Sequence, residues 1–250
     1  MFKKIIIVSL LFVGSLFASS INIAVAANVS YAINELTSAF EKTYPNVKVE
    51  VTLGGSGKLT AQIKNGAPYD IFMAANMKYP QALYQSGLAL GEPVIYAQGS
   101  LAILSNRKKD FTQGIKLVED KNIKTIAIAN PKIAPYGKAA MEALKNAGLY
   151  EKVKNKFVNA ESISQTVAYT VTATDIGFIA KSSLYSPKMK RFKEDVNFKD
   201  VDAKLYTPIK QGIVILKNGK ENKDATAFYD FILSKKAKEI FKRYGYRVNE

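Results

Sequence analysis

Short apolar runs alternate with amphipathic runs along most of the chain. Residues 21–26, 47–53 and 70–74 have the β-type pattern, and each is followed by a run with helical periodicity. Residues 126–129 and 176–179 are continuously apolar, which is typical of strands that are covered on both faces. This alternation predicts an α/β fold with mixed or parallel sheets flanked by helices.

Two long β-type runs, residues 96–105 and 206–216, have no helix directly after them. Such strands suit places where a chain passes from one lobe to another and returns. The sequence therefore predicts lobe one from residues 21–101 plus 208–250 and lobe two from residues 102–207, with the two crossover strands as a hinge. A single doubly wound domain is the alternative that the pattern leaves open.

The first twenty residues have the regions of a secretory signal peptide in the required order. Lys3 and Lys4 precede an apolar run over residues 5–17, and small residues follow. The apolar run is shorter than a membrane-spanning helix needs, so residues 1–20 are predicted to be removed on export. Cleavage after Ala18 and cleavage after Ser20 both stay open. A buried first strand or a membrane anchor is the competing interpretation.

The composition narrows the compartment and the chemistry. The chain of 250 residues contains no Cys and no His. It therefore lacks disulfides, a cysteine-linked lipid, His or Cys metal ligands, and the catalytic groups that need either residue. The acidic pairs Glu119-Asp120 and Glu194-Asp195 lie in polar stretches, and nothing places them across a common cleft. We predict a periplasmic protein that is not an enzyme and uses no cofactor.

The chain is strongly basic. Lys and Arg number 36 against 21 Asp and Glu, for a formal net charge of +15, which is a feature of nucleic-acid-binding proteins. However, the densest basic cluster, residues 188–193, lacks the interleaved aromatic residues of a stacking platform. Together with the export signal, this argues against a nucleic-acid partner. The positive surface is instead expected to attract small anions.

Three loops place small residues and neutral hydrogen-bond donors where a strand-like run gives way to a helix-like run. They are residues 26–28, 53–59 and 134–137. Helix N-termini and neutral donors can hold an oxyanion without a salt bridge. Ser56 and Tyr136 are the candidate hydroxyl donors of these loops.

Each candidate also has a purely structural explanation. Asn28 is a good helix N-cap, and on residue type alone capping is favoured over ligand contact. Ser56 can belong to an ordinary strand-to-helix turn, and Tyr136 can fill a domain cleft. Ile163 begins a further helix whose expected cap is Ser162, so Ile163 would offer only its backbone N–H.

Taken together, several motifs resemble those of the periplasmic molybdate-binding proteins of ABC uptake systems. They are Ala26-Ala27-Asn28, Gly55-Ser56-Gly57-Lys58-Leu59, residues 62–70, residues 129–137, Asp175-Ile176-Gly177-Phe178 and residues 241–246. The resemblance spans nearly the whole mature chain. It implies a two-lobed periplasmic binding protein fold of the second type, which closes over molybdate or tungstate and docks on an inner-membrane permease.

The resemblance also implies the ligand groups and the partners. The anion would be bound through its oxygens by the side chains of Asn28, Ser56 and Tyr136 and by backbone N–H groups of Ile163, Ala27 and Gly55. The enteric members carry a ligand Tyr where this chain has Ala180, so no ligand role is assigned to Ala180. A monomer that docks transiently on an ABC transporter permease is expected.

Selectivity is expected from size and from polarity. A cavity that fits molybdate would be too wide for sulfate, and hydrogen phosphate would find no acceptor for its proton. The alternatives are a carrier of sulfate, thiosulfate or a small carboxylate, and an envelope adhesin or signalling protein on the same fold. A carboxylate carrier would be expected to use an Arg clamp, and the candidate loops contain no Arg.

Overall fold

The computed structural model describes residues 19–248. Its strands, in chain order, are β1 (Ser19–Ala26), β2 (Val47–Gly54), β3 (Ile71–Ala74), β4 (Val94–Gly99), β5 (Leu101–Leu104), β6 (Ile126–Ala129), β7 (Phe157–Ala160), β8 (Ile176–Ala180), β9 (Phe198–Asp200) and β10 (Ile209–Ile215). They form two five-stranded sheets: sheet 1 with the order β2-β1-β3-β10-β4, and sheet 2 with the order β7-β6-β8-β5-β9.

Both sheets are mixed. In sheet 1, β1 pairs in parallel with β2 and β3, whereas β10 is antiparallel to β3 and β4. In sheet 2, β6 is parallel to β7 and β8, whereas β5 is antiparallel to β8 and β9. The predicted α/β fold with two sheets flanked by helices is confirmed.

The chain passes from sheet 1 to sheet 2 at Ser100, the residue between β4 and β5. It returns between the end of β9 and the start of β10. The run over residues 96–105 thus changes sheet where the sequence predicts a crossover, but it forms two strands, β4 and β5, instead of one continuous strand. The strand expected from residue 206 begins only at Ile209, after Pro208, which has no N–H for a sheet ladder. The exact lobe boundaries stay a prediction.

The helices lie at or near the predicted positions. They are α1 (Ile33–Glu41), α2 (Ser56–Lys64), α3 (Lys78–Gln85), α4 (Pro135–Asn146), α5 (Tyr150–Val153), α6 (Ile163–Thr172), α7 (Lys223–Leu233) and α8 (Lys235–Arg243). A separate 3-10 helix, Ala27–Tyr31, precedes α1. Within residues 19–248, no helix is long and apolar enough to cross a membrane.

Each sheet has its own apolar core. On sheet 1, the ring of Phe40 meets that of Phe228 edge to face at 5.0 Å between centroids, and Phe241 packs in the same cluster. The C-terminal helices α7 and α8 thus cover the sheet that begins the chain, as the sequence predicts. On sheet 2, Ile128 and Phe178 are buried under α4 and its neighbours. The helix starts that lie between the two sheets are therefore available to form a site.

The predicted signal peptide falls mostly outside the described residues. Its last two residues, Ser19 and Ser20, lie in β1 and pair with Val47 and Lys48 of β2. The Ser19 N–H also donates to the Asn46 carbonyl at 3.0 Å. Cleavage after Ala18 would keep this pairing in the exported chain, whereas cleavage after Ser20 would remove it, so the end of the signal peptide stays a prediction.

Candidate functional site

Four helix starts line one small cavity between the sheets. They are the 3-10 helix that begins at Ala27, α2 at Ser56, α4 at Pro135 and α6 at Ile163. The first N–H groups of a helix have no partner inside the helix, and they form the positive end of its dipole. The arrangement therefore aims several backbone donors at one volume.

All six residues expected to contact a ligand lie around this cavity. They are Ala27, Asn28, Gly55, Ser56, Tyr136 and Ile163. None of the described residues that line the cavity has a charged side chain. Any anion held here would be held by neutral dipoles, so its selectivity would depend on where each donor hydrogen points.

Ser56 combines burial with a free hydrogen. It is the first residue of α2, it is 1% exposed, and its Oγ accepts a hydrogen bond of 3.0 Å from the Ala75 N–H. The Ser56 hydroxyl can thus donate its own hydrogen to a ligand. Next to it, the Gly57 N–H donates to the Ile133 carbonyl at 3.1 Å, and a Cβ at Gly57 would lie 2.9 Å from that oxygen. Glycine is needed there because the first turn of α2 lies so close to the loop before α4.

Asn28 does not cap a helix. It lies inside the 3-10 helix, and the Asn28 Nδ2 group donates to Gln211 Oε1 and to the Tyr246 hydroxyl, each at 2.9 Å. The capping interpretation is therefore wrong. Both amide hydrogens are used within the protein, and Asn28 Oδ1 is buried without a hydrogen-bond partner among the described residues. Neither hydrogen of the Asn28 side-chain amide is therefore left to donate to a ligand.

Tyr136 is the second residue of α4, after Pro135, and only 1% of it is exposed. Its hydroxyl oxygen accepts a hydrogen bond of 3.2 Å from Gln211 Nε2. Burial raises the pKa of Tyr136 well above its usual range, so the phenol is neutral and keeps its hydrogen. The start of α4 lies against β6: a Cβ at Gly137 would fall 1.9 Å from the Ala129 carbonyl oxygen.

At the start of α6, Ser162 Oγ accepts a hydrogen bond of 3.2 Å from the Gln165 N–H. The predicted cap is confirmed, and Ile163 offers its backbone N–H. The next residue links the sheets, since the Ser164 hydroxyl donates to the Ala27 carbonyl at 2.7 Å.

Gln211 and Tyr246 were not predicted as part of the site. Gln211 is fully buried, and it contacts both Asn28 and Tyr136. The available signal was a polar Gln inside the apolar run over residues 209–216. Tyr246 closes the same network, because its hydroxyl donates to the Asn28 carbonyl at 2.8 Å.

A wider groove of about 400 Å³ adjoins the cavity and shares Ala134 and Pro135 with it. Four lysines line this groove: Lys78, Lys132, Lys138 and Lys210. Glu142 is also present and lies 3.7 Å from the Lys138 Nζ atom. A positive approach thus leads to a neutral cavity, an arrangement that concentrates anions without fixing them by ion pairs.

Known proteins resemble this chain over almost its full length. A family model described as "Bacterial extracellular solute-binding protein" matches residues 21–247. The molybdate-binding protein ModA of Azotobacter vinelandii is 38% identical over 92% of this chain and 90% of that protein. ModA of Rhodobacter capsulatus is 36% identical over 92% of this chain and 88% of that protein.

The solved structure of the Azotobacter vinelandii periplasmic molybdate-binding protein matches the fold with a TM-score of 0.85. It is 33% identical and covers 92% of this chain and 100% of that chain. This family consists of solute-binding transport proteins, which confirms the expectation that the chain is not an enzyme. The chain belongs to the bacterial extracellular solute-binding proteins and, within them, to the ModA family of molybdate-binding proteins.

Proposed function

We propose that this protein binds molybdate, and also tungstate, in the cavity between the two sheets and delivers the ion to an ABC transporter permease. The observation that carries the proposal is the convergence of four helix starts and two hydroxyl groups on a cavity whose lining, within residues 19–248, has no charged side chain. Relatives at 36% and 38% identity are named for binding molybdate, which supports this choice among oxyanions.

A tetrahedral dianion requires donors from several directions. The Ser56 and Tyr136 hydroxyls each accept a hydrogen bond from the protein, so each can direct its own hydrogen to a ligand oxygen. Backbone N–H groups of Ala27, Gly55 and Ile163 add donors at the helix starts. No bond is made or broken in this mechanism, and the ion is held through its oxygens.

The proposed donors lie on both sheets, so a bound ion would draw the two lobes together. Ser56 follows β2 of sheet 1, whereas Tyr136 and Ile163 begin helices that follow β6 and β7 of sheet 2. An ion that contacts both sets favours the closed arrangement, and a permease can detect that difference. The rigid bodies would be the lobes of residues 21–101 plus 208–250 and of residues 102–207.

Selectivity against sulfate would depend on size, because the longer metal–oxygen bonds of molybdate need a wider ring of donors. Selectivity against hydrogen phosphate would depend, as expected from the sequence, on the lack of an acceptor that faces the ion. Asn28 Oδ1 is a buried acceptor without a partner among the described residues. An amide oxygen that faced the ion would accept a hydrogen bond from hydrogen phosphate and would repel molybdate, so the proposal requires Asn28 Oδ1 to point away from the bound ion.

Calorimetry on the exported form, titrated with sodium molybdate, tungstate, sulfate and phosphate, tests the proposal. Tight binding of the first two ions and weak binding of sulfate are expected. Equal affinity for sulfate would contradict the size argument. The metal content of protein purified from its own periplasm gives an independent check, because a molybdate carrier should retain molybdenum.

The cellular setting is part of the same proposal. The protein would be periplasmic, monomeric and only transiently bound to its permease. Cell fractionation of the full-length chain tests the location, and light scattering tests the monomer. Small-angle scattering with and without molybdate tests the lobes, since closure should reduce the radius of gyration. An unchanged radius in a protein that binds the ion would contradict closure.

A further inference from the structure

A buried amide connects two walls of the cavity. Gln211 lies on β10 at a β-bulge, where the pairing register with β4 shifts between Gln211 and Gly212. A bulge re-aims the side chains beside it. The Gln211 side chain is fully buried, and its hydrogen bonds reach Asn28, Tyr96 and Tyr136. Gln211 itself is not among the described residues that line the cavity.

The partners of Gln211 determine which way its amide faces. Oε1 accepts from Asn28 Nδ2 at 2.9 Å and from the Tyr96 hydroxyl at 2.7 Å. The two contacts suit two donors that converge on one atom, and this favours the amide oxygen at that position. Nε2 then faces Tyr136 and donates to its hydroxyl oxygen.

The opposite arrangement would be poorer at two points. The Tyr96 hydroxyl would have to donate to the Ala74 carbonyl, a contact of 3.4 Å instead of 2.7 Å. Asn28 would have to turn as well, which would place its Oδ1 against the Tyr246 hydroxyl. The hydrogen of that hydroxyl already goes to the Asn28 carbonyl at 2.8 Å. The whole network therefore favours one polarity.

This polarity decides what Tyr136 can offer to the cavity. A hydroxyl that accepts a hydrogen bond from the protein keeps its own hydrogen for another partner. If the amide were reversed, the Tyr136 hydroxyl would donate to Gln211 and would present only lone pairs to a ligand. A lone pair facing an oxyanion is repulsive, so the same residue would change from a donor into an obstacle.

We propose that Gln211 is a positioning residue that keeps the Tyr136 hydroxyl a donor toward a bound oxyanion. The inference rests on the proposed function, namely that this cavity binds such an ion. Gln211 acts through Tyr136 and makes no contact with the ion itself. It also sets the Asn28 amide, so one buried side chain determines the polarity of two walls.

The test is a double-mutant cycle with sodium molybdate as the probe. Gln211→Met keeps the length of the side chain but removes its donor, and it should weaken binding roughly tenfold. Tyr136→Phe should weaken binding by a similar factor. Because Gln211 acts through the Tyr136 hydroxyl, the double variant should bind no more weakly than Tyr136→Phe alone.

Gln211→Glu gives a second route with nearly unchanged shape. A carboxylate can only accept a hydrogen bond, so the Tyr136 hydroxyl would donate to it. Because burial raises the pKa of a carboxyl group, binding is measured at about pH 9 to favour the ionised form, and it should then fall further than in Gln211→Met. Gln98→Glu on β4 controls for an added negative charge near the hinge and should bind close to the wild type. If both Gln211 variants lose cooperative unfolding, Tyr96→Phe serves instead. This variant removes one of the two donors that orient the Gln211 amide. It should weaken molybdate binding about two- to threefold, roughly half the effect of a full hydrogen bond. The loss should vanish in the Tyr136→Phe background.

Additive losses in the cycle would overturn the inference, and so would folded Gln211 variants that bind like the wild type. Failure of the wild type to bind molybdate would instead contradict the proposed function, and the inference would fall with it. The two failures are distinguishable, because the wild-type titration is read independently of the cycle.

Discussion

The Ser56 hydroxyl oxygen lies 3.0 Å from the backbone nitrogen of Ala75 and accepts its N–H. This contact joins the start of α2 to the residue after β3, and it occupies the hydroxyl as an acceptor. Tyr136 has the same relationship with Gln211. Each of these two hydroxyl oxygens therefore accepts a hydrogen bond from the protein, and each hydroxyl hydrogen is free to be donated to a ligand in the cavity.

Ser56→Ala should weaken molybdate binding by about 1–3 kcal/mol, because a ligand oxygen loses its donor. It should also lower the free energy of unfolding by about 1 kcal/mol, since the Ala75 N–H is left buried without its acceptor. Calorimetry and urea unfolding measure the two effects. Ser86→Ala, which removes a hydroxyl bonded to the Leu83 carbonyl at the end of α3, should leave affinity unchanged. Unchanged affinity in Ser56→Ala would restrict Ser56 to shaping the turn.

Gly99→Ala should displace the Tyr136 ring. A Cβ at residue 99 would lie 1.9 Å from the Tyr136 hydroxyl oxygen and 2.7 Å from Gln211 Nε2. We expect a loss of stability of about 1–3 kcal/mol from this overpacking, with weaker molybdate binding in the folded fraction. The matched control is Gly91→Ala, where a Cβ meets nothing within 4 Å. Equal melting temperatures for both variants would contradict the close packing of Tyr136.

Molybdate affinity should stay constant between about pH 7 and about pH 9. Burial raises the pKa of Tyr136 well above its usual value near 10, so its donor hydrogen is retained throughout this range. Calorimetry at several pH values checks this. A drop in affinity that follows a titration below pH 10 would show that another group controls binding.

The same tyrosine should make the protein less stable in alkali. Burial also raises the pKa values of Tyr96 and Tyr246. Above about pH 10 the unfolded chain releases these phenolic protons while the folded chain retains them, so stability falls as the pH rises. Tyr136→Phe should show a shallower alkaline decline than the wild type in denaturant unfolding. Equal slopes would mean that Tyr136 does not contribute to the decline.

The lysines of the groove should accelerate capture of the ion. Reversing Lys78, Lys132 and Lys210 to Glu should slow molybdate association several-fold at low salt and reduce its salt dependence, while dissociation changes little. Stopped-flow tyrosine fluorescence measures both rates. As a control, the same reversal at exposed Lys223, Lys235 and Lys236 of α7 and α8 keeps the net charge equal. Identical rates in the two triple variants would assign the effect to net charge alone.

Local patterns predicted the strands, the helices and the loops that carry the site. Strand and helix periodicities are properties of neighbouring residues, so the runs over residues 126–129 and 176–179 were recognisable directly. The Ser162 cap was recognisable for the same reason. The residue at which the chain changes sheet could not be predicted in this way. The split of residues 96–105 at Ser100 depends on which strands are available as partners.

The sequence by itself thus determined the α/β alternation and the placement of small residues and neutral donors at helix starts. Only the tertiary structure decided how those donors are oriented. Asn28 is held by Gln211 and Tyr246, which lie 183 and 218 positions away in the chain. A hydrogen-bond direction depends on every partner of a buried group at once. No local pattern contains that information, because the partners meet only after the two sheets have formed.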